Sequence, residues 1–382
     1  MKKLLILGDY PLSSSQISGG VSSATYNLVN SLIKYTDIYI TTVTFWPGIK
    51  KNELHCSSNS RINSYRFPRR FKFRSMINYA GQRHLLAMII KKNKPEIIHA
   101  QGEDIYTSLA INSSLPNVFT IHGARLVELE IVKESIGYFA YFNRRRRILK
   151  NQRKSSNIIA INEYTRKYID HLKNKRIRVI RNAVDEVFFD INDNGHIEVG
   201  NILMAGGIRK RKDVITALKV IKNVSTGYND IILNIVGVIE KEYGGDIDKF
   251  IVNNNLNNKV IIHGLVSAEK LYALYKKSDI FLMTSIEESS PISIVEAMAA
   301  GKPIVSTNVG GISEIIAENQ NGFLLNVKDD KQIAEAIIKL VRNRELREKF
   351  AEKSRNIALA DWSPKSVALK TYQFYEEILN GK

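Results

Sequence analysis

Short apolar runs alternate with stretches of helical periodicity from one end of the chain to the other. LLILG (4–8) is followed by VSSATYNLVNSLIKY (21–35) and IYITTVTF (38–45), and the series continues through IIHA (97–100), NVFTIHG (117–123), NIIAIN (157–162) and IRVIRN (177–182). Near-continuous apolar strands separated by amphipathic helices predict a parallel sheet covered on both faces. After Asp185 the pattern blurs through the polar, glycine-bearing FFDINDNGHIEVG (188–200). It restarts with NILMAGG (201–207), the helix of DVITALKVIKNV (213–224), IILNIVG (231–237), KVIIHG (259–264), the helix AEKLYALYKKS (268–278), DIFLMTS (279–285) and PIVST (303–307). The expected organisation is α/β throughout, with a first domain over 1–185, a second over 186–362 and a last helical segment over 363–382. In that last segment Tyr372, Tyr375 and Ile378 are spaced to pack back towards the first domain.

One stretch joins periodicity to chemistry: EESSPISIVEAMAAGKPIV, Glu287 to Val305. Ser290 is a favourable N-cap and Pro291 suits the first helical position, so a helix is expected to start there. Ile292, Val295, Met298 and Ala299 share one face, Gly301 can take the left-handed cap, and Pro303 prevents continuation. Glu288 then lies just outside a helix N-terminus and Glu296 about a turn and a half inside. Both carboxylates can border one cleft, with outward-pointing N–H groups between them that suit an anion such as phosphate. Taken alone, the stretch also fits a surface helix with an acidic N-terminal turn.

Composition bounds the classes open to the chain. At 382 residues, 44% hydrophobic and 25% charged, it is long enough for two domains of ordinary globular composition. MKKLLIL at the start is cut short by Gly8 and Asp9 before it could serve as a signal peptide, and LLAMII (85–90) is far short of a membrane span. Cys56 is the only cysteine, so neither an internal disulfide nor a cysteine-based zinc site is possible, which fits a reducing cytoplasm.

The charge is uneven. Residues 1–190 carry 31 Lys and Arg against 14 Asp and Glu, a net of +17, whereas the remainder carries 25 against 24, a net of +1. Such asymmetry points to an anionic partner for the first half: a membrane surface, a nucleic acid or an acidic substrate. RRRR (144–147) is one dense segment. The other is the run Arg66, Phe67, Arg69, Arg70, Phe71, Lys72, Phe73 and Arg74, whose interleaved arginine and phenylalanine suit the headgroup region of an anionic bilayer. RNP, zinc-finger and helix-turn-helix patterns are not evident, so no nucleic-acid partner is expected.

In open α/β sheets ligands bind outside the carboxyl ends of strands, and two glycine pairs fall there: Gly19–Gly20 after the first strand and Gly206–Gly207 after the first strand of the second domain. Neither forms GxGxxG with an acidic residue about twenty on, and there is no GxxxxGK[ST], so dinucleotide-binding and P-loop readings are not supported. His99 and His263 read as strand-end histidines bonded locally, and Asp246–Asp248, the sole D-x-D, reads as the charged start of a helix rather than a metal site.

The E-x7-E segment from Glu288 to Glu296, AMAAGKPIV after it and VGGISEII (309–316) together resemble the signature of the retaining nucleotide-sugar glycosyltransferases of the GT-B fold, family 4 type. SGGVSSATYNLVNSL, IIHAQG, FTIHG, VIRNAVD and IHGLVSAEKLYALYKKSDIFLMTS resemble that family's further segments in its order. The resemblance implies two Rossmann-like β/α/β domains facing each other across a cleft, a nucleoside diphosphate sugar as donor substrate, a saccharide or lipid-linked acceptor, and no metal or other cofactor.

It also implies roles. Glu288, with backbone N–H groups around Ser290, Pro291, Ile292 and Ser293, would hold the sugar hydroxyls, and Glu296 would accept from the ribose. Lys212 would bind the diphosphate, with Arg209 in place of the arginine the family usually carries directly after its glycine, where this chain has Gly206-Gly207. Gly19 or Gly20 would admit the diphosphate from the first domain, Val266 would meet the base, and His122 would stand near the reaction centre. Front-face attack is favoured over double displacement through Glu288. An epimerase of the same architecture, a polyanion-binding protein and an inactive subunit are the competing readings.

Overall fold

The computed structural model describes residues 1–13, 16–17, 19–46, 55–58, 60–68, 79–103, 105–131, 133–172, 175–191 and 200–381. These residues form two compact units, one of Met1–Ala183 with Pro364–Lys382 and one of Val184–Ser363.

In the first unit the strands are β1 (Lys2–Leu7), β2 (Ile38–Trp46), β3 (His55–Ser58), β4 (Ile62–Pro68), β5 (Ile97–Gln101), β6 (Asn117–Ile121), β7 (Asn157–Ala160) and β8 (Arg176–Val179). They lie in the order β3-β4-β2-β1-β5-β6-β7-β8, all parallel except β3, which runs antiparallel to β4. The helices between them are α1 (Gly20–Tyr35), α2 (Ala80–Asn93), α3 (Ile105–Ala110), α4 (Arg125–Ile131), α5 (Lys133–Ile136), α6 (Tyr138–Lys154) and α7 (Glu163–Lys167). The interior strands β1, β5, β6 and β7 are buried on both faces, which is why they read as unbroken apolar runs rather than alternations.

The second unit carries β9 (Asn201–Ala205), α8 (Val214–Ser225), β10 (Ile232–Val236), α9 (Lys241–Asn253), β11 (Val260–Gly264), α10 (Ala268–Lys277), β12 (Ile280–Met283), α11 (Ile292–Ala299), β13 (Ile304–Thr307), β14 (Gly322–Leu325), α12 (Asp330–Arg342) and α13 (Arg344–Trp362). Its sheet order, β11-β10-β9-β12-β13-β14, is parallel throughout and is the doubly wound order of the Rossmann fold. The order reverses between β9 and β12, and the carboxyl ends of those two strands are the expected ligand position.

Several expectations shift. FFD (188–190), read as part of a polar boundary, belongs to a 3-10 turn over Glu186–Asp190 whose Phe188 and Phe189 are buried in the second unit's core. The backbone passes into that unit at Val184, whose N–H donates to the Trp362 carbonyl at 3.0 Å. Asp246 and Asp248 lie in the middle of α9, which starts at Lys241, and at i, i+2 on a helix their side chains diverge. Chain positions 364–379 form α14 (Pro364–Leu379), and Val367, Phe374 and Tyr375 are buried against the β1 and α1 side of the first unit, with Tyr372 and Ile378 partly buried beside them.

Candidate active site

In the second unit β9 ends at Ala205 and the chain turns through Gly206, at φ 132°. A Cβ on Gly237, the residue after β10, would lie 1.9 Å from the Gly206 carbonyl oxygen, so the two loops touch backbone to backbone. A Cβ on Gly206 would stand 3.3 Å from Lys212 Nζ, and its absence leaves room for that ammonium. The 3-10 turn Lys210–Lys212 brings Lys212 back over the sheet end. Thr284, just past β12, donates to the Lys212 and Asp213 carbonyls at 3.1 and 2.9 Å, and Ile286 N–H donates to the Arg211 carbonyl at 2.8 Å.

These ties place a charge cluster. Lys212 Nζ pairs with Glu288 Oε1 at 2.7 Å and Arg211 Nη1 with Glu288 Oε2 at 3.0 Å, while Ser285 Oγ donates to Oε1 at 3.0 Å. Lys212 and Glu288 are buried and Arg211 is half-exposed. Burial pushes the Glu288 carboxyl up, and the Lys212 and Arg211 cations more than offset this, holding it below the usual carboxylate range. The backbone of Glu288 is fixed from a third loop: Gly311 N–H donates to its carbonyl at 2.9 Å, and Gly310, at φ 54°, passes so close that a Cβ there would lie 1.8 Å from the same oxygen.

Helix α11 follows directly. It begins at Ile292 with Pro291 as its cap, one residue later than the sequence suggested, because Pro291 keeps an extended ψ of 106° and its carbonyl accepts from Ile294 N–H at 3.1 Å. No side chain caps this end, so Ser290 does not fill the role expected of it. The far end closes as a Schellman motif, Gly301 N–H to the Met298 carbonyl (3.0 Å) and Lys302 N–H to the Ala297 carbonyl (2.8 Å), with Gly301 at φ 66°.

Glu296, one turn in, has Oε2 at 2.8 Å from the hydroxyl of Tyr275, which is buried edge-on to Phe188 and stacked on Phe281. Burial raises the Glu296 carboxyl to about 7, against the Tyr275 hydrogen bond and with the help of the Asp185 charge. Val266 lies in the turn after β11, partly packed on the core, and Arg209 is exposed at the cap of the Lys210–Lys212 turn.

In the first unit Gly19 precedes α1 with an extended φ of 166°, and a Cβ on Gly19 or Gly20 would meet nothing within 4 Å. Among the described residues no side chain caps this helix N-terminus either. His122, just past β6, has Nε2 at 2.8 Å from Gln101 Oε1, while its Nδ1 is buried with no partner among the described residues. Burial, then the Arg125 charge, pushes the ring down to about 4, so it is neutral. His263 bonds Asn234 on the neighbouring strand, whereas His99, expected to be bonded locally, reaches Tyr375 on the C-terminal helix as well as Thr120 on the adjacent strand. The expected membrane-facing run is corrected at its start: Arg66 and Phe67 are buried on β4, Arg66 donating to the Tyr10 carbonyl at 3.0 Å and stacking on Trp46, Phe67 packing into the core. Arg69, Arg70, Phe71, Lys72, Phe73 and Arg74 lie outside the described residues.

Residues 18–188 match the family model described as Glycosyltransferase Family 4, and residues 193–357 the one described as Glycosyl transferases group 1. The chain belongs to the GT-B glycosyltransferases of the family 4 type. A glycosyltransferase of Methanocaldococcus jannaschii is 24% identical to it over 365 residues, 94% of this chain and 95% of the relative. A capsular polysaccharide biosynthesis glycosyltransferase of Staphylococcus aureus, CapM, is 27% identical over 314 residues, 74% of this chain and 77% of CapM. The crystal structure of Anabaena HepE in complex with UDP-glucose superposes with a TM-score of 0.74 at 15% identity, covering 99% of this chain and 100% of that one.

In the transferase the structure thus brings Lys212, Glu288 and the α11 N-terminus together at the topological switch point. Three residues of the site escaped the sequence reading: Arg211, which rather than Arg209 supplies the second cation on Glu288; Tyr275, which holds Glu296; and Gly310, which shapes the Glu288 backbone. Only Gly310 left a signal, the VGG of VGGISEII.

Proposed function

We propose that the transferase moves a sugar, with retention of anomeric configuration, from a nucleoside diphosphate sugar to a saccharide or lipid-linked acceptor in the assembly of cell-surface polysaccharide or glycolipid. The observation that carries this reading is the buried Lys212–Glu288 pair, with the half-exposed Arg211 on the same carboxylate, beside the uncapped N-terminus of α11. Two cations against one carboxylate leave a net positive charge where a diphosphate would sit, and the helix end adds a positive dipole. Breaking the bond from the anomeric carbon to phosphate develops positive charge on the sugar and negative charge on the leaving diphosphate. Lys212, Arg211 and the α11 N–H groups are placed to stabilise the latter without a metal ion.

Glu288, acceptor-only when ionised, takes sugar hydroxyls with the backbone of Ser290 to Ser293, and Glu296 takes those of the ribose. Val266 adjoins the base, and Arg209 adds to the phosphate grip. Glu288, held by two cations, is disfavoured as a nucleophile. Front-face attack, with the leaving phosphate receiving the acceptor's proton, is therefore the favoured course. UDP is the first donor nucleotide to try, since HepE was crystallised with UDP-glucose. Proton NMR of the glycosyl product tests the reading: an anomeric H1–H2 coupling of the same class as the donor's, small from an α-linked donor, supports it, and an inverted product or no turnover of any nucleotide sugar overturns it.

The acceptor side favours an anionic membrane surface. Among the described residues no helix is long and apolar enough to cross a membrane. Helix α6 nevertheless exposes Phe139 to 81% and Tyr138 and Phe142 to 61% each, and continues into Arg144, Arg145, Arg146, Lys150, Arg153 and Lys154 with no acidic residue. At helical spacing Phe139, Phe142, Arg146, Lys150 and Arg153 share a face, an arrangement suited to lying in the headgroup layer at the cytoplasmic side of a membrane. Sedimentation with anionic vesicles, lost in Phe139→Ser/Phe142→Ser and in high salt, is expected; equal sedimentation with neutral vesicles contradicts this part.

A further inference from the structure

One buried polar chain of the first unit is unused by the reading above. His99 is fully buried in the middle of β5, its Nδ1 2.6 Å from the hydroxyl of Tyr375 on α14 and its Nε2 2.7 Å from Thr120 Oγ1 and 3.0 Å from Gln101 Nε2. Gln101 in turn presents Oε1 to His122 Nε2 at 2.8 Å. A continuous path of hydrogen bonds therefore runs from the C-terminal helix to His122.

The donor and acceptor chemistry of each group fixes the protons. An amide NH2 cannot accept, so His99 Nε2 is bare and its proton sits on Nδ1, donated to Tyr375. An amide oxygen cannot donate, so His122 Nε2 carries a proton and its Nδ1 is bare. The reversed amide would invert every assignment and would leave a protonated His122 Nδ1 buried with no acceptor, since that nitrogen has no partner among the described residues. A buried orphan donor is the costlier fault, so the first arrangement is the stable one.

We propose that Tyr375, His99 and Gln101 are positioning residues that hold His122 as the Nε2-protonated neutral ring, making the C-terminal helix a working part of the histidine site. A ring so held offers Nδ1 as an acceptor only. It can take a hydrogen bond from a hydroxyl and can offer neither a proton nor a positive charge to a phosphate. The kinetic consequence rests on the proposed nucleotide-sugar reaction; the ring state does not, and is a property of the free protein.

The test is long-range proton–nitrogen NMR on the full chain labelled at histidine nitrogen, with His122→Gln to assign the signals. Wild type is expected to show His122 as one tautomer protonated on Nε2 at neutral pH. Tyr375→Phe removes the group that accepts the His99 proton, so His122 is expected to pass to the other tautomer or a mixture, with kcat/KM lowered roughly tenfold, the scale of one misplaced hydrogen bond, and the thermal shift by UDP unchanged. Gln101→Glu, which still accepts from Nε2–H, is expected to keep the wild-type tautomer. A wild-type His122 protonated on Nδ1 overturns the proposal whether or not either variant folds. So does Tyr375→Phe with ring signals or kcat/KM unaltered. If no donor is turned over at all while the ring states behave as stated, the reaction reading fails and the tautomer assignment stands.

Discussion

Replacing Lys212 by methionine isolates the charge cluster. Lys212 and Glu288 are both nearly excluded from solvent, with side-chain exposures of 10% and 7% and a separation of 2.7 Å. Removing one partner of a buried pair costs about 3–5 kcal/mol because the other charge is left uncompensated. Here Arg211 remains at 3.0 Å, but its side chain is 46% exposed and its attraction is weakened by solvent, so the expected loss is about 2–3 kcal/mol. Without Lys212, burial dominates and the Glu288 carboxyl rises, so part of the loss is relieved by protonation and Lys212→Met is expected to be less impaired at low pH.

The double variant Lys212→Met/Glu288→Leu removes both charges and is expected to recover at least 1 kcal/mol relative to Lys212→Met, the sign expected when an apolar pair replaces a buried ion pair. The chain has two tryptophans, and Trp362 is buried in the second unit, so urea unfolding followed by fluorescence in a Trp46→Phe background reads this unit alone. A Lys212→Met midpoint equal to that of the parent, or a double variant weaker than the single by the sum of two independent losses, would refute the argument.

Other consequences follow from the same geometry. Gly310→Ala forces a Cβ to 1.8 Å from the Glu288 carbonyl oxygen at a φ of 54°, and is expected to cost the second unit about 2–4 kcal/mol and to abolish nucleotide binding even where the protein remains folded by circular dichroism. Because burial raises Glu296 to about 7, the folded state holds that proton more tightly than the unfolded one; the stability this confers is complete below about 4.5 and is lost as pH rises through 7. Glu296→Gln should flatten that loss in urea titrations across the same window. Ribose hydroxyls donating to Glu296 favour its ionised form, so nucleotide binding near pH 6.5 is expected to release a proton, read as a buffer-dependent calorimetric enthalpy that Glu296→Gln abolishes.

Much of the fold was readable because parallel strands are buried on both faces and therefore stand out as apolar runs, as in LLILG and DIFLMTS. Strand β4 did not stand out: INSYRFP contains Ser64 and Arg66, yet both are buried and hydrogen-bonded, Ser64 to Thr42 and Arg66 through Nη2 to the Tyr10 carbonyl, from segments distant in sequence. The same contacts explain why Arg66 and Phe67 face the core when composition placed them on the surface. In the site, Glu288, Glu296 and Lys212 were legible from spacing and resemblance together. Arg211 was not, because four adjacent basic residues, 209–212, differ only by where a 3-10 turn points them. Tyr275 is 21 residues from Glu296, and no local pattern couples them; only the sheet order brings α10 against α11.

The central claim is that the second unit binds a nucleoside diphosphate at the switch point between β9 and β12. A thermal-shift series with UDP, GDP, ADP and CMP and their sugars, on wild type and Glu296→Ala, tests it most directly, since a ligand of the native state raises the midpoint by mass action. The account predicts a concentration-dependent rise with one nucleoside diphosphate and its sugar that disappears in Glu296→Ala. No rise with any of them, or one that persists undiminished in the variant, would contradict it.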